Sequence, residues 1–224
     1  MHGTSLNHSQ KTHAAFLFDM DGTIINSIAS AERCWTAWAI KHGLDVATFL
    51  PTIHGVKGTE TIRRLGLPGV DPVKECQEIL DAEMLDLDGI VPIPGAIEFL
   101  NSLPRDKWAI VTSAPRELAL RRLENAGMPL PDVMVTGESV ANGKPNPECF
   151  LLGAKKLGVE ASDCLVFEDA IAGILAGEGA GASVVVITST HAHTMETALP
   201  TLVDYENVRA LTQADGRLSL QHRP

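Results

Sequence analysis

The chain has 224 residues, 45% of them apolar and 21% charged, enough to bury one or two cores and too ordinary to be disordered, collagen-like or a coiled coil. Lys+Arg 18 against Asp+Glu 28 leaves a net charge of −10, and only 4% of residues are aromatic. Such a chain repels phosphate backbones and anionic lipid and offers few rings for base stacking, so no nucleic-acid partner and no membrane partner are expected.

Residues 1–13 are polar, lack an apolar signal core and read as a disordered tail. The first buried strand is expected at Ala14-Ala15-Phe16-Leu17-Phe18, stopping at Asp19-Met20-Asp21-Gly22-Thr23. From Ser27, a candidate helix cap, the apolar residues Ile28, Ala31, Trp35, Trp38 and Ala39 fall at helical spacing. Further helices are expected at 58–65 and 72–87, and no strand-like run appears from 27 to about 91. That block reads as a small helical unit, 27–92, inserted into a main domain made of 14–26 and 93–224. Pro92-Ile93-Pro94-Gly95 reads as the returning linker. The segments near Ser27 and 91–95 are then the two hinges.

Beyond the linker, helix and strand alternate. Helices are expected at 96–103, 117–126, 147–157 and 170–180. Strands are expected at 108–112, 133–135, 164–167 and 183–188. Gly127 and Gly158 stand where helix C-termini favour glycine. Gly173, Gly177 and Gly179 in one helix point to close packing against the sheet. The alternation predicts an α/β fold, a parallel sheet covered on both faces. Cys34, Cys76, Cys149 and Cys164 are scattered with no Cys-x-x-Cys pair, which suits buried thiols in a reducing, cytoplasmic setting. No long apolar stripe is left over, so a monomer is expected.

Polar groups follow the apolar runs: Asp19 and Asp21, Thr112 and Ser113, Glu168 and Asp169, with Lys144 in a Gly-Lys-Pro loop. If the strands are parallel neighbours, these ends converge on one crevice. So many carboxylates repel one another unless a cation sits among them, and hard oxygen ligands without Cys or His favour Mg²⁺ over zinc. Asp19 and Asp21, two apart on extended chain, face one side, where one can attack while the other serves as acid and base.

Nearby patterns fail on spacing. Asp19-x-Asp21-Gly22 has Ile24 and Ser30 where a calcium loop needs Gly and Glu. Gly137 to Lys144 is one residue too long for a phosphate loop, and Pro145 replaces its Ser/Thr. No Gly-x-Ser-x-Gly surrounds Ser113. His191-x-His193 lacks a third ligand and reads as solvent-exposed loop.

Asp19-x-Asp21-Gly22-Thr23, Thr112-Ser113, Gly143-Lys144-Pro145 and Glu168-Asp169 followed by Ala170-x-Ala172-Gly173 together resemble the haloacid-dehalogenase-like hydrolase superfamily. Ile53-His54-Gly55, Pro94-Gly95-Ala96, Trp108 to Ser113 and Phe167-Glu168-Asp169 are similar to its helical-cap branch of sugar phosphatases, glycerol-3-phosphatases and 2-deoxyglucose-6-phosphatases. The resemblance implies a Rossmann-like core with an inserted helical cap. It also implies a Mg²⁺-dependent phosphatase acting on a small phosphorylated metabolite, a sugar or polyol phosphate. Asp19 would be the nucleophile that forms an aspartyl-phosphate. Asp21 would protonate the leaving alcohol and then deprotonate water. Ser113 and the Ala114 backbone, with Thr112 beside them, would hold phosphate oxygens, and Lys144 would neutralise the transferring group. Asp19, the Asp21 carbonyl and Asp169 would hold the metal, with Glu168 in contact with it or one layer out. His54 and Lys57 in the cap are the candidate substrate contacts. Ile24-Ile25-Asn26-Ser27 departs from relatives that carry Asp before the Ser/Thr, which implies tuning of the hinge. The same fold would also suit a phosphomutase of the β-phosphoglucomutase type. A dehalogenase would not need an acid at Asp21, and a non-catalytic binding protein would not need every catalytic position filled.

Overall fold

The computed structural model describes residues 11–223. In chain order the elements are β1 (Thr12–His13), β2 (Ala15–Phe18), β3 (Ile25–Asn26), α1 (Ile28–Lys41), α2 (Val46–Phe49), α3 (Gly58–Leu65), α4 (Pro72–Leu85) and β4 (Val91–Pro92). There follow α5 (Ala96–Asn101), β5 (Trp108–Val111), α6 (Arg116–Asn125), β6 (Val133–Val135), α7 (Glu148–Lys156), β7 (Cys164–Glu168) and α8 (Ile171–Gly179). The chain closes with β8 (Ser183–Ile187), β9 (Thr201–Leu202), β10 (Val208–Thr212) and β11 (Leu218–His222).

Six strands form one parallel sheet in the order β6-β5-β2-β7-β8-β9. The order reverses about β2, which pairs Phe18 with Ile110 of β5 on one side and Phe167 of β7 on the other. The crevice outside the carboxyl ends at such a reversal is where open α/β sheets bind ligands. Side chains alternate across the sheet with period two. Phe16, Phe18, Ile110 and Phe167 face α5 and α6, meeting Phe99, Leu100 and Leu123. Ala15, Leu17, Val111 and Val166 face α7 and α8, meeting Phe150, Ala154 and Ile174. Gly177 lets α8 lie close on the sheet: a Cβ there would stand 3.0 Å from Val184 and 3.3 Å from Val166.

The helices α1–α4 have their own apolar cluster, with Trp35, Trp38, Phe49, Ile62 and Ile79 at its centre. α3 has the bounds its periodicity predicts. α4 begins at Asp71, whose carboxylate accepts from Val73 N (2.9 Å) and Lys74 N (3.4 Å), with Pro72 in the first turn where no N–H is needed.

Several expectations need correction. Thr12 and His13 are no loose tail; they pair antiparallel with Ser219 and Leu218 of β11, and of the rest of the expected tail only Lys11 is described, residues 1–10 lying outside the described residues. β9, β10 and β11 escape an apolar-run reading, because β10 and β11 mix polar and apolar residues and earn their place by pairing with each other and with β1. Ser27 stands at the start of α1 but makes no cap; its hydroxyl goes to Asp21. The linker at 92–95 starts as strand: Val91 and Pro92 pair with Asn26 and Ile25, so the outgoing and returning chains form a two-stranded ribbon. Cys149 and Cys164 are buried as expected, whereas Cys34 and Cys76 are half-buried; all four are free thiols.

Candidate active site

Asp19 follows β2 directly, and its backbone N–H donates to Phe167 O at 2.9 Å, so strand-like pairing carries on to the first acid. Lys144 reaches it from the loop before α7. The ammonium is 1% exposed and donates to Asp19 Oδ1 at 2.5 Å, Glu168 Oε1 at 2.6 Å and Val111 O at 3.1 Å. All three donors are used. Burial favours a neutral amine, but the Asp19 and Glu168 carboxylates outweigh it and hold Lys144 charged, its pKa above the usual lysine value. Burial pushes the Asp19 carboxyl up to about 8, with Lys144 opposing and Glu168 reinforcing.

Glu168 is spoken for at both oxygens. Oε1 takes Lys144, and Oε2 accepts the backbone N–H groups of Asp169 (2.9 Å) and Ala170 (3.0 Å). Asp169 follows it, with Oδ1 accepting from Thr23 Oγ1 at 3.2 Å; Thr23 is tied back by Tyr205, whose hydroxyl donates to Thr23 O at 3.1 Å. Burial, then the Glu168 and Asp19 charges, pushes the Asp169 carboxyl well up.

Asp19, Glu168 and Asp169 each present an oxygen within 4.8 Å of the others. Against these carboxylates stands the Lys144 ammonium, and a divalent cation would supply the missing positive charge. The donors are all oxygen, which suits a hard ion such as Mg²⁺. The cradle is shaped by glycines. A Cβ on Gly22 (φ +88°) would stand 2.0 Å from Asp169 Oδ2, and one on Gly173 would stand 1.6 Å from Glu168 Oε1. The residues present therefore fit the ion. The Asp21 carboxylate is not part of this cluster: its Oδ1 accepts from Ser27 Oγ (2.5 Å) and from Arg122 Nη1 (2.9 Å).

Above this floor lies a cavity of about 290 Å³ between the strand ends and the helical unit, lined by both Asp19 and Asp21. Thr112, Ser113 and Ala114, the candidate phosphate contacts, line it too. Their present bonds are internal: Ser113 Oγ donates to Gly55 O at 2.9 Å, and Ala114 N–H to Thr112 Oγ1 at 3.0 Å. Gly55 allows a close approach of the helical unit, since a Cβ there would stand 2.8 Å from Ala170 Cβ. His54 lines the cavity with its Nε2 3.2 Å from Glu32 Oε1. Lys57, expected as a substrate contact, also lines the cavity. Its ammonium donates to Val140 O (2.8 Å) and Ala141 O (3.3 Å), while nearby Glu60 Oε1 accepts Gly143 N–H at 3.0 Å, so this corner clamps α3 to the loop that carries Lys144.

Three groups escape the sequence reading. His191 is half-buried with Nε2 2.9 Å from Asp169 O, while His193 is exposed as expected. Arg122 and Glu83 are buried at the cavity, their charges 3.3 Å apart. Both sit in the buried stripe of a helix, and a charge at a core position of the period is the trace they leave in the sequence.

Residues 13–181 match the family model described as haloacid dehalogenase-like hydrolase. The chain belongs to that family. Hexitol phosphatase A of Escherichia coli (strain K12) is 40% identical to this haloacid dehalogenase-like hydrolase over 178 residues, 78% of this chain and 82% of its own. The 2-deoxyglucose-6-phosphate phosphatase 1 of Saccharomyces cerevisiae is 36% identical over 199 residues, 78% of this chain and 80% of its own. Among solved structures, β-phosphoglucomutase from Clostridium difficile superposes with a TM-score of 0.69 at 26% identity, covering 78% of this chain and 84% of that one. Among the described residues, no helix is long and apolar enough to cross a membrane.

Proposed function

We propose that this haloacid dehalogenase-like hydrolase is a phosphatase that frees phosphate from small sugar or polyol phosphates. The observation that carries the reading is the buried contact of Asp19 with Lys144 beside Glu168 and Asp169, at the floor of a cavity that Asp21 also lines. Relatives of 36–40% identity named as phosphatases of a hexitol phosphate class and of 2-deoxyglucose 6-phosphate support the substrate class.

In this reading Asp19 attacks phosphorus and becomes an aspartyl-phosphate, while Asp21 gives its proton to the departing alcohol. Asp21 then takes a proton from the water that hydrolyses the intermediate. Lys144 stays fixed between Asp19 and Glu168 and neutralises charge on the transferring group. Ser113 and the Ala114 N–H exchange their bonds to Gly55 and Thr112 for phosphate oxygens. Asp19, Asp169 and the Asp21 carbonyl would hold Mg²⁺, which supplies the positive charge that lets a carboxylate approach a phosphate dianion. Glu168, engaged by Lys144 and two backbone donors, is assigned to holding that lysine and the Asp169 loop. Residues 27–92 serve as the cap, with the β3–β4 ribbon as its hinge. A monomer in the cytoplasm, with a small phosphorylated metabolite as its partner, completes the reading.

Phosphate release from a panel of hexose, pentose and polyol phosphates is the test. Asp19→Asn is expected to lower turnover by about three orders of magnitude or more, and EDTA to abolish it until Mg²⁺ is restored. Undiminished release in either condition would refute the mechanism. The likeness to β-phosphoglucomutase keeps a mutase as the second reading; a hexose 1-phosphate converted to its isomer without free phosphate would favour it.

A further inference from the structure

α6 buries Leu118, Ala119, Arg122 and Leu123 along one stripe. A guanidinium there is costly unless its donors are used. Arg122 is 4% exposed, yet its fork is only partly engaged. Nη1 donates to Asp21 Oδ1, Nη2 stands 3.3 Å from Glu83 Oε1, and neither Nη2 nor Nε has a hydrogen-bond partner. Glu83 comes from α4 of the helical unit and is 8% exposed. Arg122, Glu83 and Asp21 all line the same cavity, whose wall here is apolar: Trp35, Ile79 and Leu80.

We propose that Arg122 and Glu83 form the subsite that holds the hydroxyl groups of the leaving alcohol and selects uncharged polyhydroxy alcohols over anionic ones. The inference rests on the phosphatase reading and specifies what lies beyond the ester oxygen.

The order of contacts sets the distance. Asp21 must touch the ester oxygen to protonate it, and Arg122 touches Asp21. Arg122, which lines the cavity together with Glu83, therefore falls beside the next carbons of the leaving group. A hydroxyl is donor and acceptor at once. Placed between Arg122 and Glu83, it accepts from the first and donates to the second, so one group satisfies both. A carboxylate in that place would also accept from Arg122, but it would face the Glu83 carboxylate as a like charge within an apolar wall, where repulsion is poorly screened. An alcohol with no hydroxyl leaves the buried donors of Arg122 unpaired, which a site built for hydrogen bonding penalises.

The test compares kcat/KM for three esters, sorbitol 6-phosphate, p-nitrophenyl phosphate and 2-phosphoglycolate, in wild type, Glu83→Gln and Arg122→Lys. Glu83→Gln is expected to lower the ratio of sorbitol 6-phosphate to p-nitrophenyl phosphate about tenfold, mainly through KM, and to raise 2-phosphoglycolate relative to both. Arg122→Lys keeps a charge beside Asp21 but loses the fork, and is expected to lower the first ratio similarly. Each variant is read alongside its thermal melt, and either one, if folded, suffices. Equal loss on all three esters, or unchanged ratios, overturns the inference while leaving the phosphatase reading intact. Wild-type protein inert on these esters and on the whole panel of hexose, pentose and polyol phosphates overturns the phosphatase reading and takes this inference with it.

Discussion

The two walls of the cavity hold their polar groups in different ways. On the core side, the Asp19, Lys144 and Glu168 side chains are at most 6% exposed and bond one another. On the helical side, the His54 and Glu32 side chains that meet at 3.2 Å are 27% and 39% exposed, and Lys57 spends its charge on carbonyls of the opposite wall. A charge in the dry floor has no water to fall back on, so each group there depends on the others. The part-exposed His54 and Glu32 trade each other for water at little cost, whereas Glu83 on the same unit is buried against Arg122. Under the proposed function, the chemistry is assigned to the wall where substitution is severe, and substrate fit to the wall where it is mild.

The sharpest way to break this contrast is Lys144→Met. It leaves Asp19 and Glu168 buried without their common cation and is expected to destabilise the fold by about 3–5 kcal/mol, read by urea unfolding, with loss of turnover. A shift no larger than that of a surface substitution would show that the floor is not mutually dependent. Next comes Gly173→Ala. Its Cβ would overlap Glu168 Oε1, so Glu168 must move and Lys144 with it. Displacement of that order is expected to cost about a hundredfold in kcat with a smaller effect on KM, measured by steady-state phosphate release. The mildest is Lys57→Met on the helical wall. It removes two hydrogen bonds to the 140–141 carbonyls but buries no charge, so stability is expected to fall by about 0.5–1.5 kcal/mol, and KM to change more than kcat. A collapse of kcat there would erase the distinction between the walls.

Much of the core was legible because burial on both faces leaves a local trace. β2, β5, β7 and β8 are apolar runs, and each of the first three stops at the polar residue that enters the site. Glycines mark the ends of α3, α6 and α7 with positive φ at Gly66, Gly127 and Gly158. Lys144 was legible only through its Gly-Lys-Pro setting, since nothing local says that a lysine will be buried. β1 and β11 were not legible: Thr12 meets Arg217 across 205 residues, and neither strand carries a long apolar run. The carbonyls that Lys57 bonds were not legible either, since Val140 and Ala141 lie 83 and 84 residues away.

Residue order alone determined the α/β class, the helical insertion and the set of acids at strand ends, since these follow from the period of apolar residues and from what interrupts it. Which acid pairs with which cation was decided only when the chain closed on itself. Asp21 meets Arg122 across 101 residues, and Arg122 meets Glu83 from another helix. No local pattern encodes such a meeting, because the attraction between two charges depends on their separation in space and on the water that folding removes from between them.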